Sequence, residues 1–209
     1  MDIIKQLEWR YATKKFDATK KLSTHKINIL KQAFNLTATS FGLQTLKLVI
    51  VENTEIRNQL LAHSYNQKQV VNASHLLVIC IQNNVLESDV INYYDNIKKL
   101  RNTPESILKP YREGLVQMME KMTIPERQQW STNQAYIALG NLMTVCAAEN
   151  IDACPMEGFI ATGYNDILNL TEKNLKAVLL LPVGIRASDD MFADFKKVRK
   201  PLEETIIEI

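Results

Sequence analysis

The sequence predicts an α+β or α/β sandwich in which one central sheet lies between helical layers. Three runs of strand length indicate the sheet, at residues 46–51, 75–81 and 177–184. The run at 75–81 is apolar after its first residue and rich in β-branched side chains, which is typical of a strand covered on both faces. Helical patterns separate the three runs and account for most of the chain, so the sheet is predicted to be covered by helices.

The helices are predicted from apolar spacing and from capping residues. Ser23 or Thr24 begins a helix that runs to about Leu36, and Asn53 or Thr54 begins another that runs through Leu61. Shorter helical segments are predicted at residues 2–10, 66–71 and 164–170.

The middle of the chain is predicted to be helical and to lie outside the sheet. Residues 86–122 are mostly polar and are interrupted by Pro104 and Pro110. Pro125 suits the first turn of a long helix that reaches Asn150. Gly140 inside that helix indicates a close approach by another helix, since glycine there costs about 1 kcal/mol relative to alanine.

The composition is that of an ordinary globular protein. Of 209 residues, 46% are hydrophobic and 23% are charged, which favours one compact domain with insertions. The formal charge of +2 is too small to indicate a nucleic-acid or membrane partner. No apolar run of about 18 residues is present, and the first ten residues mix both charges, so we expect a cytoplasmic protein.

Several kinds of chemistry lack their sequence signal. The six glycines are not clustered, so the glycine-rich fingerprints of dinucleotide and phosphate binding are missing. His25, His63 and His75 do not have metal-ligand spacing. The three cysteines form no C-x-x-C pair and are predicted to be buried free thiols. Redox chemistry carried by a bound cofactor remains open.

The remaining polar residues match the needs of a flavin mononucleotide (FMN). Its phosphate needs cations, and Arg10 and Lys14 are predicted to lie one helical turn apart after the first helix. Lys197 and Arg199 alternate, so they would point the same way in an extended tail. Taken separately, each of these pairs is more often just a solvated charged surface.

Three further segments offer polar groups to such a ligand. Residues 40–44 supply a hydroxyl, a glycine and an amide, and residues 155–158 form a rigid turn with accessible backbone N–H groups. Asn66 and Gln69 are three residues apart and are predicted to share one helical face.

Together these segments resemble the nitroreductase family of flavin enzymes, and the similarity covers nearly the whole chain. The order and spacing of the segments carry the resemblance. They are Asp2-Ile3-Ile4, Arg10-Tyr11-Ala12-Thr13-Lys14-Lys15-Phe16, residues 40–44, Asn72-Ala73-Ser74-His75, Pro155-Met156-Glu157-Gly158-Phe159 and Lys197-Val198-Arg199-Lys200-Pro201.

The resemblance implies a three-layer α/β/α sandwich with a mostly antiparallel sheet and a C-terminal strand donated to a partner subunit. It implies a single domain over residues 1–209, with a helical insertion around 86–124 and an exchanging tail around 190–209. It also implies a homodimer with two FMN sites at the subunit interface. The strand-like end at residues 205–209 is consistent with such a tail.

The resemblance also assigns roles to residues. Arg10, Lys14, Lys197 and Arg199 would hold the phosphate and the anionic edge of the flavin. Ser40 and Gln44 would come from the second subunit, Asn66 and Gln69 would meet the ribityl chain and the pyrimidine ring, and the backbone at Glu157 and Gly158 would lie near flavin N5. The predicted cofactor-binding residues are Arg10, Tyr11, Ala12, Lys14, Thr39, Ser40, Phe41, Gly42, Gln44, Asn66, Gln69, Pro155, Met156, Glu157, Gly158, Lys197 and Arg199.

The implied reaction is ping-pong transfer of hydride from NADH or NADPH, through FMN, to a nitroaromatic, a quinone or a similar small acceptor. Two positions depart from the family pattern: Ala12 stands where Ser is frequent, and Gln69 stands where Lys is found. The alternatives are a reductase for an enone or a pteridine, a dimeric flavin-binding protein without turnover, and a helical interaction module without a cofactor.

Overall fold

The computed structural model describes residues 2–209. Its sheet has four strands: β1 (Leu46–Val51), β2 (His75–Gln82), β3 (Asp152–Ala153) and β4 (Leu175–Gly184). The strand order is β1-β2-β4-β3, and each neighbouring pair is antiparallel. The three strand-like runs in the sequence are therefore confirmed, whereas the two-residue strand β3 is too short to leave a pattern.

The helices follow the predicted order. They are α1 (Ile3–Trp9), α2 (Thr24–Asn35), α3 (Thr54–Ala62), α4 (Gln69–Asn72), α5 (Glu87–Arg101), α6 (Glu105–Lys121), α7 (Ile124–Ala148), α8 (Ala161–Ile167) and α9 (Leu202–Thr205). The side chains of Ser23 and Asn53 cap α2 and α3, as predicted. Helix α8 begins three residues earlier than the predicted segment at 164–170.

Strand β2 divides the core into two halves. Leu77 and Ile79 belong to a cluster with residues of α2 and α7, whereas Leu76 and Val78 belong to a cluster with residues of α3 and α8. This alternation follows from the pleat of a strand, whose successive side chains point to opposite faces. The prediction of an α+β sandwich with one sheet between helical layers is confirmed.

Helices α5 and α6 pack mainly on each other. Their own cluster includes Val90, Tyr94, Leu108 and Leu115. Pro104 precedes α6, as predicted, but Pro110 does not interrupt it. Because proline has no N–H, the Ser106 carbonyl loses its usual hydrogen-bond partner. Pro110 and Ser106 are both exposed, so water can hydrate this carbonyl and the helix continues.

One further expectation needs correction. A Cβ on Gly140 would meet nothing within 4 Å, so no close helix approach occurs there among residues 2–209. Residues 206–209 form neither a helix nor a strand within the single chain, so a strand donated to a partner stays a prediction. Cys80, Cys146 and Cys154 are free and buried, as predicted. Among residues 2–209, no helix has the length and apolar character needed to cross a membrane.

Candidate functional site

A cavity of about 320 Å³ brings together both ends of the chain. Six of the predicted cofactor-binding residues line it. They are Arg10, Tyr11, Ala12, Lys14, Lys197 and Arg199, and the lining is completed by Phe192, Phe195 and Lys196. The structure therefore brings together two cationic segments, residues 10–14 and residues 196–199, which lie nearly 190 residues apart in the sequence.

The first cationic segment is extended rather than helical. Helix α1 ends at Trp9, and Arg10 is its C-cap with backbone angles of the extended region. Ala12 forms a parallel bridge with Ala153, and the Thr13 N–H donates to the Ala153 carbonyl at 3.2 Å. Arg10 and Lys14 thus do not lie one helical turn apart, because the chain here joins the edge of the sheet instead of continuing α1.

The cations of this cavity lack counter-ions in the part of the chain that the structure describes. Arg10, Lys14, Lys197 and Arg199 form no ion pair with a carboxylate of residues 2–209. Partial burial, and then repulsion from Arg199, lowers the pKa of Arg10. Burial and the nearby Arg10 and Arg199 likewise lower the pKa of Lys197. An anion in the cavity would relieve this repulsion, since opposite charge favours the protonated forms.

The turn at residues 155–158 begins beside this cationic cavity. Met156 forms a bridge with Leu180, whereas Glu157 and Gly158 are exposed. The Phe159 N–H closes the turn by donating to the Glu157 carbonyl at 2.9 Å. The N–H groups of Glu157 and Gly158 have no acceptor among the described residues. Because Ala153 pairs with Ala12, the turn and the cationic segment occupy one edge of the sheet.

The segment before α4 reaches the same turn through a residue that the sequence did not indicate. Gln67 Nε2 donates to the Gly158 carbonyl at 3.0 Å. Asn66 has a left-handed backbone with φ of 58°, whereas Gln69 is the first residue of α4 and is buried. The prediction that Asn66 and Gln69 share a helical face is wrong, because the left-handed residues Tyr65 and Asn66 prevent a continuous helix.

The loop at residues 39–44 lies at a different cavity. Thr39 and Gln44 line a space of about 360 Å³ beside β1, and none of its lining residues belongs to the cationic cavity. Gly42 is required in this loop because its φ is 75° and a Cβ would lie 2.5 Å from Tyr93 Oη. Phe41 is half exposed there. Within one chain, this loop therefore does not complete the cationic cavity.

Two further side chains support the site and were not predicted. Tyr136 Oη donates to Glu157 Oε1 at 2.8 Å, and this bond raises the pKa of Tyr136. Asp190 is buried and accepts hydrogen bonds from the cationic segment. Tyr136 is an ordinary member of the α7 helical pattern, and Asp190 is one of two adjacent acids, so neither gives a signal that sequence alone could interpret.

The comparisons with known proteins identify the family. A profile described as the nitroreductase family matches residues 7–185. A Staphylococcus epidermidis protein, provisionally named an NAD(P)H nitroreductase, is 34% identical over 197 residues, covering 90% of this chain and 89% of that protein. The oxygen-insensitive NAD(P)H nitroreductase of Salmonella typhimurium is 25% identical and is matched over the full length of both chains.

Solved structures agree on the fold. A Bacillus subtilis protein superposes with a TM-score of 0.89 at 20% identity, covering 100% of this chain and 99% of that one. A protein of Exiguobacterium sibiricum, solved in complex with FMN, has a TM-score of 0.84 at 17% identity over 100% and 98% of the two chains. An enone reductase of gut-bacterial fatty acid saturation has a TM-score of 0.82 at 16% identity over 100% and 98%.

The chain belongs to the nitroreductase family. The family resemblance and the nitroreductase-like α+β fold are thereby confirmed. The two relatives given above are named as NAD(P)H nitroreductases. Donation of a strand to a partner and the role of each predicted binding residue stay predictions.

Proposed function

We propose that the protein is an FMN-dependent NAD(P)H oxidoreductase that reduces small organic acceptors. The observation that carries this proposal is the cavity formed where residues 10–14 meet residues 196–199, whose cations have no counter-ion among the described residues. Family membership supports the proposal, as do the FMN complex of a structural neighbour and the NAD(P)H names of the relatives.

The residues present fit such a cofactor. Arg10, Lys14, Lys197 and Arg199 offer charge-assisted hydrogen bonds to a phosphate dianion. The N–H groups of Glu157 and Gly158, which lack acceptors among the described residues, offer donors to the edge of a flat ring. Bound FMN would supply the redox chemistry by accepting a hydride from NADH or NADPH and delivering it to the acceptor.

The protein's contribution would be to position this cofactor and to set its electrostatic surroundings. The bridge between Met156 and Leu180 fixes the start of the turn. The Gln67 amide holds the Gly158 carbonyl from the other side, and Tyr136 holds the Glu157 carboxylate. These contacts keep the two N–H groups in place. The neutral side chains Ala12 and Gln69 would give a flavin fewer polar and cationic contacts than a Ser and a Lys at these positions.

The acceptor class separates this proposal from its nearest alternative. We propose nitroaromatics or quinones in a ping-pong reaction, and the enone reductase with the same fold supports enones as the second candidate. Initial rates with one member of each class would rank the acceptors. Varying NADPH at several acceptor concentrations should give parallel double-reciprocal lines, and intersecting lines would exclude the ping-pong order. A flavin-bound protein that reduces none of them would be a flavin-binding protein without turnover.

We further propose that the working form is a cytoplasmic homodimer. Helix α1 exposes Ile4 to 60%, and Phe41 and Ile137 are also half exposed. A subunit interface that covered these apolar groups would remove them from water, which is favourable. A second copy would bring its residues 39–44 to the cationic cavity, which this chain alone does not do.

We propose that the tail, around residues 190–209, exchanges between the two subunits. We also propose that the chain forms a single domain that carries a helical insertion around residues 86–124. Ile206, Ile207 and Ile209 are all exposed, and β1 has one free edge among the described strands. Beside β1 lies the cavity lined by Lys31 and Lys47, whose charge complements the acidic Glu208. The tail of one copy would therefore extend the partner's sheet at β1.

Deleting residues 201–209 should convert the dimer largely to monomers, because it removes the apolar side chains proposed to cover β1. The deletion leaves Lys197 and Arg199 in place, so the cationic cavity is retained. Sedimentation velocity measures the result, and a full-length variant with Ile206, Ile207 and Ile209 changed to serine should behave in the same way. A dimer that is unchanged in both variants would exclude the exchanging tail.

A further inference from the structure

Asp190 lies where the two cationic segments meet. Asp190 is only 5% exposed, and it directly precedes the short helical turn Met191–Asp194. One carboxylate oxygen, Oδ2, accepts three hydrogen bonds: from Tyr11 Oη at 2.8 Å, from the Lys14 N–H at 2.9 Å and from the Lys15 N–H at 3.0 Å. The other oxygen accepts from the Phe192 N–H at 3.3 Å. A single carboxylate thus ties residues 11–15 to the start of the tail.

These hydrogen bonds keep the carboxylate charged. Burial alone would raise the pKa of Asp190, but hydrogen bonds from Lys15, Tyr11, Lys14 and Phe192 lower it below its usual value. Hydrogen bonds to an ionised acceptor are stronger than those to a neutral one. The carboxylate is therefore a firm anchor for the backbone that carries Lys14.

Both the aromatic ring and the hydroxyl group of Tyr11 are held by other side chains. The Arg186 guanidinium lies 4.6 Å from the centre of the Tyr11 ring, and Arg186 Nε donates to Asp152 Oδ1 at 2.6 Å. Asp152 belongs to β3, so the sheet fixes Arg186, Arg186 fixes the Tyr11 ring, and Asp190 fixes the Tyr11 hydroxyl. The anchoring of residues 11–15 is therefore continuous with the core.

Two effects of Asp190 on a bound phosphate oppose each other. Its negative charge beside the cavity repels an anion, so simple electrostatics predicts that neutralising Asp190 would tighten phosphate binding. Its hydrogen bonds hold the backbone of Lys14, and a freed segment would lose charge-assisted contacts to the phosphate. The carboxylate already accepts four hydrogen bonds, which spread its charge, so the loss of positioning should exceed the gain in attraction.

We propose that Asp190 is a positioning residue for the phosphate subsite, acting through the backbone of residues 14 and 15 and through Tyr11. The phosphate part of this inference rests on the proposed binding of FMN. The backbone part stands on the hydrogen bonds alone and has its own measurement.

The test compares FMN with riboflavin, which has the same ring system but no phosphate. The Asp190→Asn variant should bind FMN about tenfold more weakly, the effect of losing about one charge-assisted bond, while its affinity for riboflavin stays within about twofold. The neighbouring variant Asp189→Asn is the matched control, because the exposed Asp189 forms, among the described residues, an ion pair with the Lys15 side chain and no hydrogen bond to the backbone of residues 14 and 15. It should leave both affinities unchanged. Fluorescence titration of apoprotein with each flavin gives the dissociation constants.

Hydrogen–deuterium exchange at the Lys14 and Lys15 amides tests the anchor without any cofactor. Both amides should exchange at least about tenfold faster in Asp190→Asn than in the wild type or in Asp189→Asn. If Asp190→Asn does not fold, Tyr11→Phe removes one of the same hydrogen bonds, and should speed exchange at these amides by a smaller factor. Unchanged exchange in the variant that folds would overturn the anchor.

The outcomes separate this inference from the proposed function. Wild-type protein that binds FMN, together with an Asp190→Asn variant that binds it equally or more tightly, would overturn the positioning role and leave the proposed function intact. An equal loss of FMN and riboflavin affinity would also overturn it, since a general structural defect acts on both. Wild-type protein with no affinity for FMN would overturn the proposed function and the phosphate subsite together.

Discussion

Replacing Arg199 with alanine is expected to weaken FMN binding by about 1.5–3 kcal/mol, roughly tenfold to 150-fold in the dissociation constant, the range for a lost charge-assisted hydrogen bond. Arg199 lines the cationic cavity, and its guanidinium donates only to the adjacent Val198 carbonyl among the described residues. Its donors are therefore available to a phosphate. Titration of apoprotein with FMN measures the change.

The matched control is Lys200→Ala. Lys200 is the next residue, it is exposed, and it does not line the cavity. This variant removes the same charge from the same segment and should change FMN affinity by less than about threefold, since an exposed charge is largely screened. Equal losses in both variants would indicate a general charge effect of the tail, and no loss in Arg199→Ala would remove Arg199 from the site.

Replacing Arg57 with alanine is expected to lower the free energy of unfolding by about 2–5 kcal/mol, because buried acceptors lose their donor and a large side chain is removed from the core. Arg57 is only 1% exposed. Its Nη1 donates to the Val71 carbonyl at 2.9 Å and also to the Ala73 carbonyl, where α4 ends. Burial lowers the pKa of Arg57, and the charge of the nearby Glu52 offsets only part of that effect.

Thermal unfolding measures this effect. A loss of this size should lower the melting temperature by about 5–15 °C in a domain of this length. Arg101→Ala is the control, because Arg101 is exposed at the end of α5 and should change the free energy by no more than about 0.5 kcal/mol. Arg57→Lys should lie between the two, since one ammonium group can replace part of the fork of donors. Equal melting temperatures for Arg57→Ala and the control would contradict this role.

The sheet was predictable from the sequence because its central strands are buried on both faces. The short length and the β-branched composition of a run such as residues 75–81 distinguish it from a buried helix, so these two properties predict the strand. The two-residue strand β3 was not predictable, because its pairing depends on β4 and Ala12, which are distant in the sequence. The Asn66–Gln69 spacing failed for a local reason, since left-handed residues broke the helix that spacing assumes.

The candidate site was predictable as a set of residue types, but its geometry was not. Arg10, Lys14, Lys197 and Arg199 do share one cavity, although Arg10 and Lys14 reach it through an extended segment and not through a helix. The anchoring residues Asp190, Gln67 and Tyr136 act through contacts between remote segments. Such contacts depend on the packed fold and leave no spacing pattern in the sequence.

An anaerobic visible spectrum of the FMN-reconstituted protein tests the central claim most directly. The account predicts a flavin absorption band that bleaches after one equivalent of NADPH or NADH is added, and the rates of bleaching would rank the two donors. Buffer-matched free FMN with the same donors is the control. A band that persists with both donors would contradict an NAD(P)H oxidoreductase, and protein that remains colourless after reconstitution would contradict the flavin site itself.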